Sequence, residues 1–577
     1  MSDIVVAVDL GTSRSAWAYS LSSKAHEDIV LRIPRGSELA SSIGSMKTET
    51  AVLLTSDGEE VVAFGHAARK RFIQDAEATE RDCLAAPCGS SLSAVNMLFQ
   101  FFKVHLCNKR GYRSVNEPVA EADGGQELPL LKVVAAALRH FKEDVLAHLS
   151  ELLEALFAVD RVKWVLTIPA IFDDFAKGFM RHAAFQAGMI KTIDSSTLVL
   201  CLEPEAACLA VNVIESPDIV EAGCKAMILD CGGGTVDITT HEVLTTSPLS
   251  LKEILAPSGG PWGSTCVDTA FKKWLLIFLG DENYERVQHT SAFFSLIEQW
   301  EDGKTNFRGE KDERVRLNFM EIARVLDAMS TEQLQYHHTH QESIPDSGVK
   351  RFKFIISLSS ELVKSFFSPT TTSIAECLQK LKRDSALRDL KYVFLVGGFS
   401  SSPLIQRVAR DVLEGGECKV LAILRPGVAI VRGAVLFGSH PEVLRTRKAR
   451  LTYGMPVWVK YDRRNPEHVK RRKNPPILDE AGRERISGFS HHINVGDDIP
   501  VDGVCPASTY YPFLSSQTRA RAAILASHER DIKFPDKGRC FVLGSVTIPF
   551  DMNVPFGSRG VRVQFTFGGP ELSVSCV

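Results

Sequence analysis

Apolar positions along the chain follow two rhythms. Ile4–Val8 is an unbroken apolar run, and a second run around 16–21 follows a Gly-Thr-Ser turn, so the opening reads as a hairpin joined at a glycine. From Leu130 to Leu156 apolar residues fall at helical spacing (Val133, Val134, Leu138, Phe141, Val145, Leu149, Leu152), which predicts a long amphipathic helix. Val162–Ile168 reads as a strand closed by Pro169, and 175–187 as a helix. A strand is expected at Leu198–Leu202, a helix from Pro204, strands at 226–230 and 236–243, and a helix at 267–279. Later come a strand at 392–396, a glycine pair, and helices at 404–413 and 428–438. Strands and helices taking turns predict an α/β fold. The charge-rich stretch from Glu282 to Lys350 reads as a mostly helical subdomain or insertion.

After about residue 440 helices become hard to find. Segments 457–461, 519–526, 540–548 and 561–567 read as strands between Pro, Gly and Asp turns, and no long helix precedes Val577. The expected organisation is a large α/β unit over 1–440, a basic linker over 441–452 and a β-rich unit over 453–577.

Charge adds little to this picture. Lys plus Arg is 67 and Asp plus Glu is 70, a net charge of -3, which argues against a dedicated nucleic-acid binder. The 13 cysteines are scattered without a Cys-x-x-Cys pair, as expected of reduced thiols in the cytoplasm rather than a disulfide framework or a zinc site. The N-terminus lacks a signal-peptide pattern, and no apolar run reaches the roughly 18 residues that span a bilayer.

Two motifs carry chemistry. Asp9-Leu-Gly11-Thr12-Ser13 follows the first apolar strand; Gly11 allows close backbone approach, Thr12 and Ser13 offer donors, and Asp9 can hold a hydrated divalent cation. Alone it is also compatible with a plain hairpin turn. The arrangement then repeats as Asp230-Cys-Gly232-Gly233-Gly234-Thr235, where three glycines in a row cost conformational entropy and need a reason such as close approach. Two such hairpins suggest mirrored lobes gripping one phosphate chain. Aspartic proteases also carry paired Asp-x-Gly turns, but they are almost wholly β and lack a triple glycine.

The same order of further elements resembles the actin-like ATPase superfamily of seventy-kilodalton heat-shock chaperones, actin and sugar kinases. These elements are Val165-Leu-Thr-Ile-Pro169-Ala, Leu202-Glu203-Pro204-Glu205, Leu395-Val-Gly397-Gly398-Phe399-Ser and Arg425-Pro426-Gly427 with Arg432-Gly433-Ala434. The segment from Phe175 to Gly188, the Ser258-Gly-Gly-Pro-Trp262-Gly-Ser-Thr stretch and Gly397–Pro403 are similar to the divergent heat shock 70 kDa protein 12 branch. The resemblance implies a two-lobed, ribonuclease H-like nucleotide-binding domain. It implies ATP or ADP with Mg2+ as cofactors. Gly11, Thr12 and Ser13 would form the first phosphate loop, and Gly232, Gly233, Gly234 and Thr235 the second. Asp9 and Asp230 would stand near the metal, Asp230 through water. Glu203 would orient the attacking water, Lys103 would be the catalytic lysine, and Gly397, Gly398 and Phe399 would flank the nucleotide. Glu301 and Lys304 match the chaperones' Glu-x-x-Lys for the ribose and adenine.

The nucleoside side departs from the chaperone pattern at Thr305, Ser401 and Gly427, where relatives carry two arginines and an acidic residue. Losing a guanidinium stacked on the base would remove about 0.5–2 kcal/mol. The linker is basic rather than apolar and acidic-ended, and no lid helix follows. The last unit can still offer an edge or groove to unfolded or partner polypeptides. Lys470-Arg-Arg-Lys473 forms a basic cluster, read as a solvated loop that leaves nuclear import open. His337, His338, His340, His491 and His492 read as surface histidines, and Trp262 as a packing anchor. The expected activity is that of an ATP-binding, chaperone-like protein with weak ATPase activity. The alternative is a nucleotide-gated scaffold with negligible turnover. A small-molecule kinase would need an acidic base in an acceptor pocket of the first lobe, and none is evident.

Overall fold

The structure is a computed structural model. It describes residues 4–21, 28–35, 46–85, 96–107, 114–123, 125–154, 157–215, 220–326, 349–352, 354–473, 475–500 and 503–576. The chain divides into two compact units, Met1–Thr239 with Ser258–Pro441, and Thr240–Pro257 with Glu442–Val577.

The first unit is built on two main sheets, with smaller ones beside them. Strand β1 (Ile4–Leu10) turns at Gly11 into antiparallel β2 (Arg14–Ser20). Helix α1 (Leu130–Leu153) leads to β3 (Val162–Ile168), which runs parallel to β1. Helix α2 (Asp174–Gln186) starts on an Asp173 cap whose carboxylate accepts from the Ala176 amide, and leads to β4 (Leu198–Leu202), parallel to β3. Every residue of β1 is buried, as a central strand covered on both faces requires. The apolar stripe of α1 lies in the same core: Val134, Leu138, Phe141, Val145 and Leu149 cluster with Val6, Val8, Leu166 and Leu200. Each such side chain contributes about 1.5–3 kcal/mol relative to exposure. This burial fixes the end of β1, and with it the position of Asp9.

Helix α3 (Glu203–Ala210) starts directly after β4 with Pro204 in its first turn, where a missing N–H costs nothing. The second sheet centres on β5 (Lys225–Cys231) and its neighbour β6 (Val236–Thr246), joined by the triple-glycine turn. Strand β7 (Leu249–Gly260) follows, and residues 240–257 of this hairpin belong to the second unit. Helices α4 (Ser264–Leu279) and α5 (Ser291–Asn306) come next. Strand β8 (Leu390–Val396) pairs parallel with β5, and β9 (Lys419–Ala422) pairs parallel with β8. Helix α6 (Ala429–Ser439) crosses α3 so closely that a Cβ on Gly433 would lie 1.7 Å from the Ala206 carbonyl oxygen.

In the second unit β10 (Leu444–Lys448) runs parallel to β7. Strand β11 (Thr452–Lys460), helix α7 (Pro466–Arg471), β12 (Ile477–Leu478), β13 (Glu484–Ile493), β14 (Arg519–Ser527) and β15 (Phe541–Pro549) follow. They build a five-stranded sheet in the order β12-β13-β11-β14-β15. A three-stranded sheet joins Ser508–Tyr510, β16 (Val561–Gly568) and β17 (Glu571–Cys576). Tyr453, Met455, Ile493 and Ala526 from one sheet share a core with Val561, Val563, Phe565 and Phe567 from the other.

Sequence pattern and structure part company in places. Ser360–Lys382 is a helix despite Pro369 and three threonines in a row, and β7 is a strand through a stretch rich in Pro, Ser and Gly. The region after Glu282 is mixed: Arg314–Asn318 is a strand paired with Ile355–Ser359, and 327–348 lie outside the described residues, with His337, His338 and His340 among them. His492 is partly buried, stacked on Phe565 at 4.2 Å with its Nε2 2.8 Å from the Tyr510 hydroxyl. The basic cluster is largely paired: Lys470 with Glu467 at 3.1 Å, Arg471 with Glu467 and Asp536, and Arg472 with Glu484. Among the described residues no helix is long and apolar enough to cross a membrane, and the cysteines there are free thiols.

Candidate functional site

The first unit holds a cavity of about 810 Å3. The β1–β2 turn and the β5–β6 turn meet in it. Its wall includes Asp9, Gly11, Thr12, Ser13, Glu203, Asp230, the glycines 232–234, Thr235 and Gly397, and toward the end where the sequence reading expects the nucleoside Glu301, Lys304, Gly398 and Phe399. Of the nucleotide-site residues expected from sequence, Lys103 alone is not on that wall. It lies behind Glu203, 1% exposed, with Nζ donating to Glu203 Oε1 at 2.8 Å.

The two turns press on each other. A Cβ on Gly233 would fall 2.0 Å from Ser13 Oγ, and one on Gly234 would fall 2.4 Å from Thr12 Oγ1. The opposite side of the glycine loop is occupied as well: Gly263, Ser264 and Thr265 amides donate to the carbonyls of Gly234, Gly232 and Gly233. With those carbonyls engaged by the start of α4, the bare Cα edge of the loop is what faces the hydroxyls. Gly397 has φ +80°, and a Cβ there would meet Asp230 Oδ1 and the Cys231 carbonyl, both at 2.4 Å. Only glycine suits that conformation and that space. Trp262 packs over Gly260, where a Cβ would lie 2.4 Å from its ring.

Buried charge concentrates at this end. Asp9 accepts from Thr167 Oγ1 at 2.7 Å and from Lys47 Nζ at 2.5 Å. Burial alone would raise its pKa, but Lys47 and Lys103 together outweigh it and hold Asp9 below the ordinary carboxylate value. For Glu203 burial wins over Lys103, so its affinity for a proton is raised. Asp230 is raised well above its usual value by burial, then by the charges of Glu203 and Asp237. Its Oδ1 is buried without a hydrogen bond, as is Ser13 Oγ.

These observations fit a metal-bound polyphosphate. A carboxylate with an orphaned oxygen, beside a cradle that any side chain on Gly233 or Gly234 would fill, suits a divalent cation and phosphate oxygens. Among the described residues no group of three or more His, Cys, Asp or Glu forms a cage by itself, so such a cation would complete its shell with phosphate and water.

At the other end Lys304 Nζ is held by Asp268 at 2.7 Å and by Glu301 at 2.9 Å, and the Trp300 indole also donates to Asp268. Thr305, Ser401 and Gly427 line the same cavity. A Cβ on Gly398 or Gly427 would meet nothing within 4 Å.

Sequence reasoning missed Lys47, Thr167 and Asp268. Thr167 lay in the strand-closing motif already marked, whereas Lys47 and Asp268 sit in no motif and reach their partners only through the fold.

The α/β architecture and the likeness to chaperones below fit the actin-like ATPase fold. Matches to chaperone protein DnaK cover part of the chain; that of Elusimicrobium minutum is 26% identical over 78% of this chain and 61% of its own length. Over its full length the chain is 28% identical to heat shock 70 kDa protein 12A of Homo sapiens and 27% identical to heat shock 70 kDa protein 12B of Homo sapiens, covering 89% of each. No family model matches the chain. Over its whole length the chain is thus similar to the 12A/12B branch of the heat shock 70 kDa proteins.

Proposed function

We propose that this protein binds ATP with Mg2+ between the two lobes of its first unit and hydrolyses it slowly to ADP, as a chaperone-like ATPase of the cytoplasm. The observation that carries the reading is the meeting of Thr12 and Ser13 with the bare glycine loop beside the orphaned Asp230 oxygen. When bound, the metal supplies charge neutralisation to the phosphoryl oxygens. Asp9 and Asp230 are the residues that would hold it, largely through water.

The chain's own groups do the rest. Thr12, Ser13, Thr235 and the glycine loop fix the phosphate chain, so that positioning converts an improbable encounter into an intramolecular one. Glu203 stands at the first turn of α3, held by Lys103, and its raised proton affinity suits a carboxylate that orients water and receives its proton. Lys304, clamped by Asp268 and Glu301, closes the nucleoside end. The second unit is the part that engages polypeptides.

A second reading, a nucleotide-gated scaffold with negligible turnover, draws on the open nucleoside end, where Gly398 and Gly427 leave room and Thr305 and Ser401 bring no guanidinium. Single-turnover hydrolysis of labelled ATP, run beside calorimetry, separates the two. Binding with slow hydrolysis that disappears in Asp230→Ala supports the ATPase. Binding without hydrolysis supports the scaffold, and absence of binding overturns both.

A further inference from the structure

Among the described residues the five-stranded and three-stranded sheets of the second unit end in four edges, and one differs from the rest. Strand β12 is two residues long and is followed by Asp479 and Glu480; the strand at Ser508–Tyr510 has three residues; β17 begins with Glu571. Strand β15, Phe541-Val-Leu-Gly-Ser-Val-Thr-Ile-Pro549, has nine residues and no charge. Among the described residues it pairs on one side only, with β14. Phe541 is 40%, Val542 65% and Val546 37% exposed. Edges are ordinarily guarded by charge, shortness or proline, and β15 has only its terminal Pro549 and a bulge near Leu543.

The direction of its backbone groups can be derived. The Phe550 amide donates to the Thr518 carbonyl at 2.9 Å, continuing the β14–β15 register by one residue. In an antiparallel ladder hydrogen-bonded pairs alternate, so Ile548, Val546 and Gly544 face β14 with their amides and carbonyls. Ser545 and Thr547 therefore point both of theirs away from β14, toward the open side.

We propose that β15 pairs antiparallel with β15 of a second copy of this chain, about a twofold axis at Val546. In that register Ser545 of each copy lies opposite Thr547 of the other, and the outward groups exchange four main-chain hydrogen bonds. Val546 shares a face with the buried Ala522, so the two exposed valines meet at the rim of the apolar core. The hydroxyls of Ser545 and Thr547 meet on the other face. Strand β15 itself carries no charge, and the neighbouring Arg521 is turned onto its own Ser545, with Nε donating to Oγ at 3.4 Å, so the strand brings little repulsion to its own copy, which is what favours a second copy over a charged partner segment. Pro549 falls at the end of the ladder, where its missing N–H costs one rung at most. The inference does not rest on nucleotide binding.

The test uses the full chain. Sedimentation from about 1 to 100 µM should show a monomer–dimer equilibrium. Val546→Cys, oxidised and mapped by mass spectrometry, should give a disulfide joining position 546 of one copy to position 546 of the other, because residues opposed in a non-hydrogen-bonded pair lie about 4.5 Å apart. Thr547→Pro removes an amide that folding does not use, and Ser545→Lys places like charges near the axis. Each should weaken the dimer at least tenfold while the melting temperature of the monomer is kept. A monomer throughout the range overturns the proposal, as does a dimer indifferent to both substitutions. So does a monomeric chain whose β15 captures an added apolar peptide, since that assigns the edge to a different occupant.

Discussion

The two ends of the cleft are built on opposite principles. At the phosphate end the backbone is packed against itself: added Cβ atoms on Gly233, Gly234, Gly263 and Gly397 would all come within 2.4 Å of another atom. At the nucleoside end Gly398 and Gly427 face open space, and Thr305 and Ser401 on the same wall are small. The first end is determined by the fold as much as by any ligand, since the same contacts close two hairpins and shape a cradle. The second is held in place by one buried cation, Lys304, and leaves its contents to be chosen.

Gly234→Val is the harshest challenge to this contrast. Its side chain would occupy the place of the Thr12 side chain, and nucleotide binding measured by calorimetry should fall at least a thousandfold, or about 4 kcal/mol. Retained binding would mean that the two turns do not form the cradle. Lys103→Met leaves Glu203 buried without its partner, and chemical denaturation should show a loss of about 3–5 kcal/mol. A loss below about 1 kcal/mol, the scale of an exposed pair, would place the two outside the framework of the phosphate end. Magnesium withdrawal comes next. At a hundredfold excess of ATP over its dissociation constant the ligand should add about 2.7 kcal/mol of stability, and chelation should remove most of it. The smallest effect is expected at the other end: Gly427→Ala and Gly398→Ala should change stability by no more than about 0.5 kcal/mol and ATP affinity by less than threefold. A large loss in either variant would show that the open end is as constrained as the crowded one.

What could be read without coordinates follows from the same physics. Val162–Ile168 and Leu198–Leu202 were legible to the residue, because parallel strands buried under helices are continuous apolar runs and proline marks the end of the first. The helix at 360–382 was hidden by Pro369 and the threonines that follow it, and β7 by the glycines and prolines that also made it a motif. The phosphate hairpins stood out because their chemistry is local: aspartate, glycines and hydroxyls lie within six residues of one another. Lys47, Asp268 and the Lys103–Glu203 pair depend on contacts across 38, 36 and 100 positions, and nothing local distinguishes such side chains from solvated ones.

The crossing at Gly433 and Ala206 has a mechanical meaning. Helix α6 starts two residues after Gly427, at the nucleoside end, and α3 starts with Glu203, at the phosphate end. Where they cross, backbone touches backbone, with no flexible side chain to absorb a displacement. A displacement of either helix is therefore passed to the other at Gly433 instead of being taken up by side chains, so the two helices form one stiff joint between the two ends of the cavity wall.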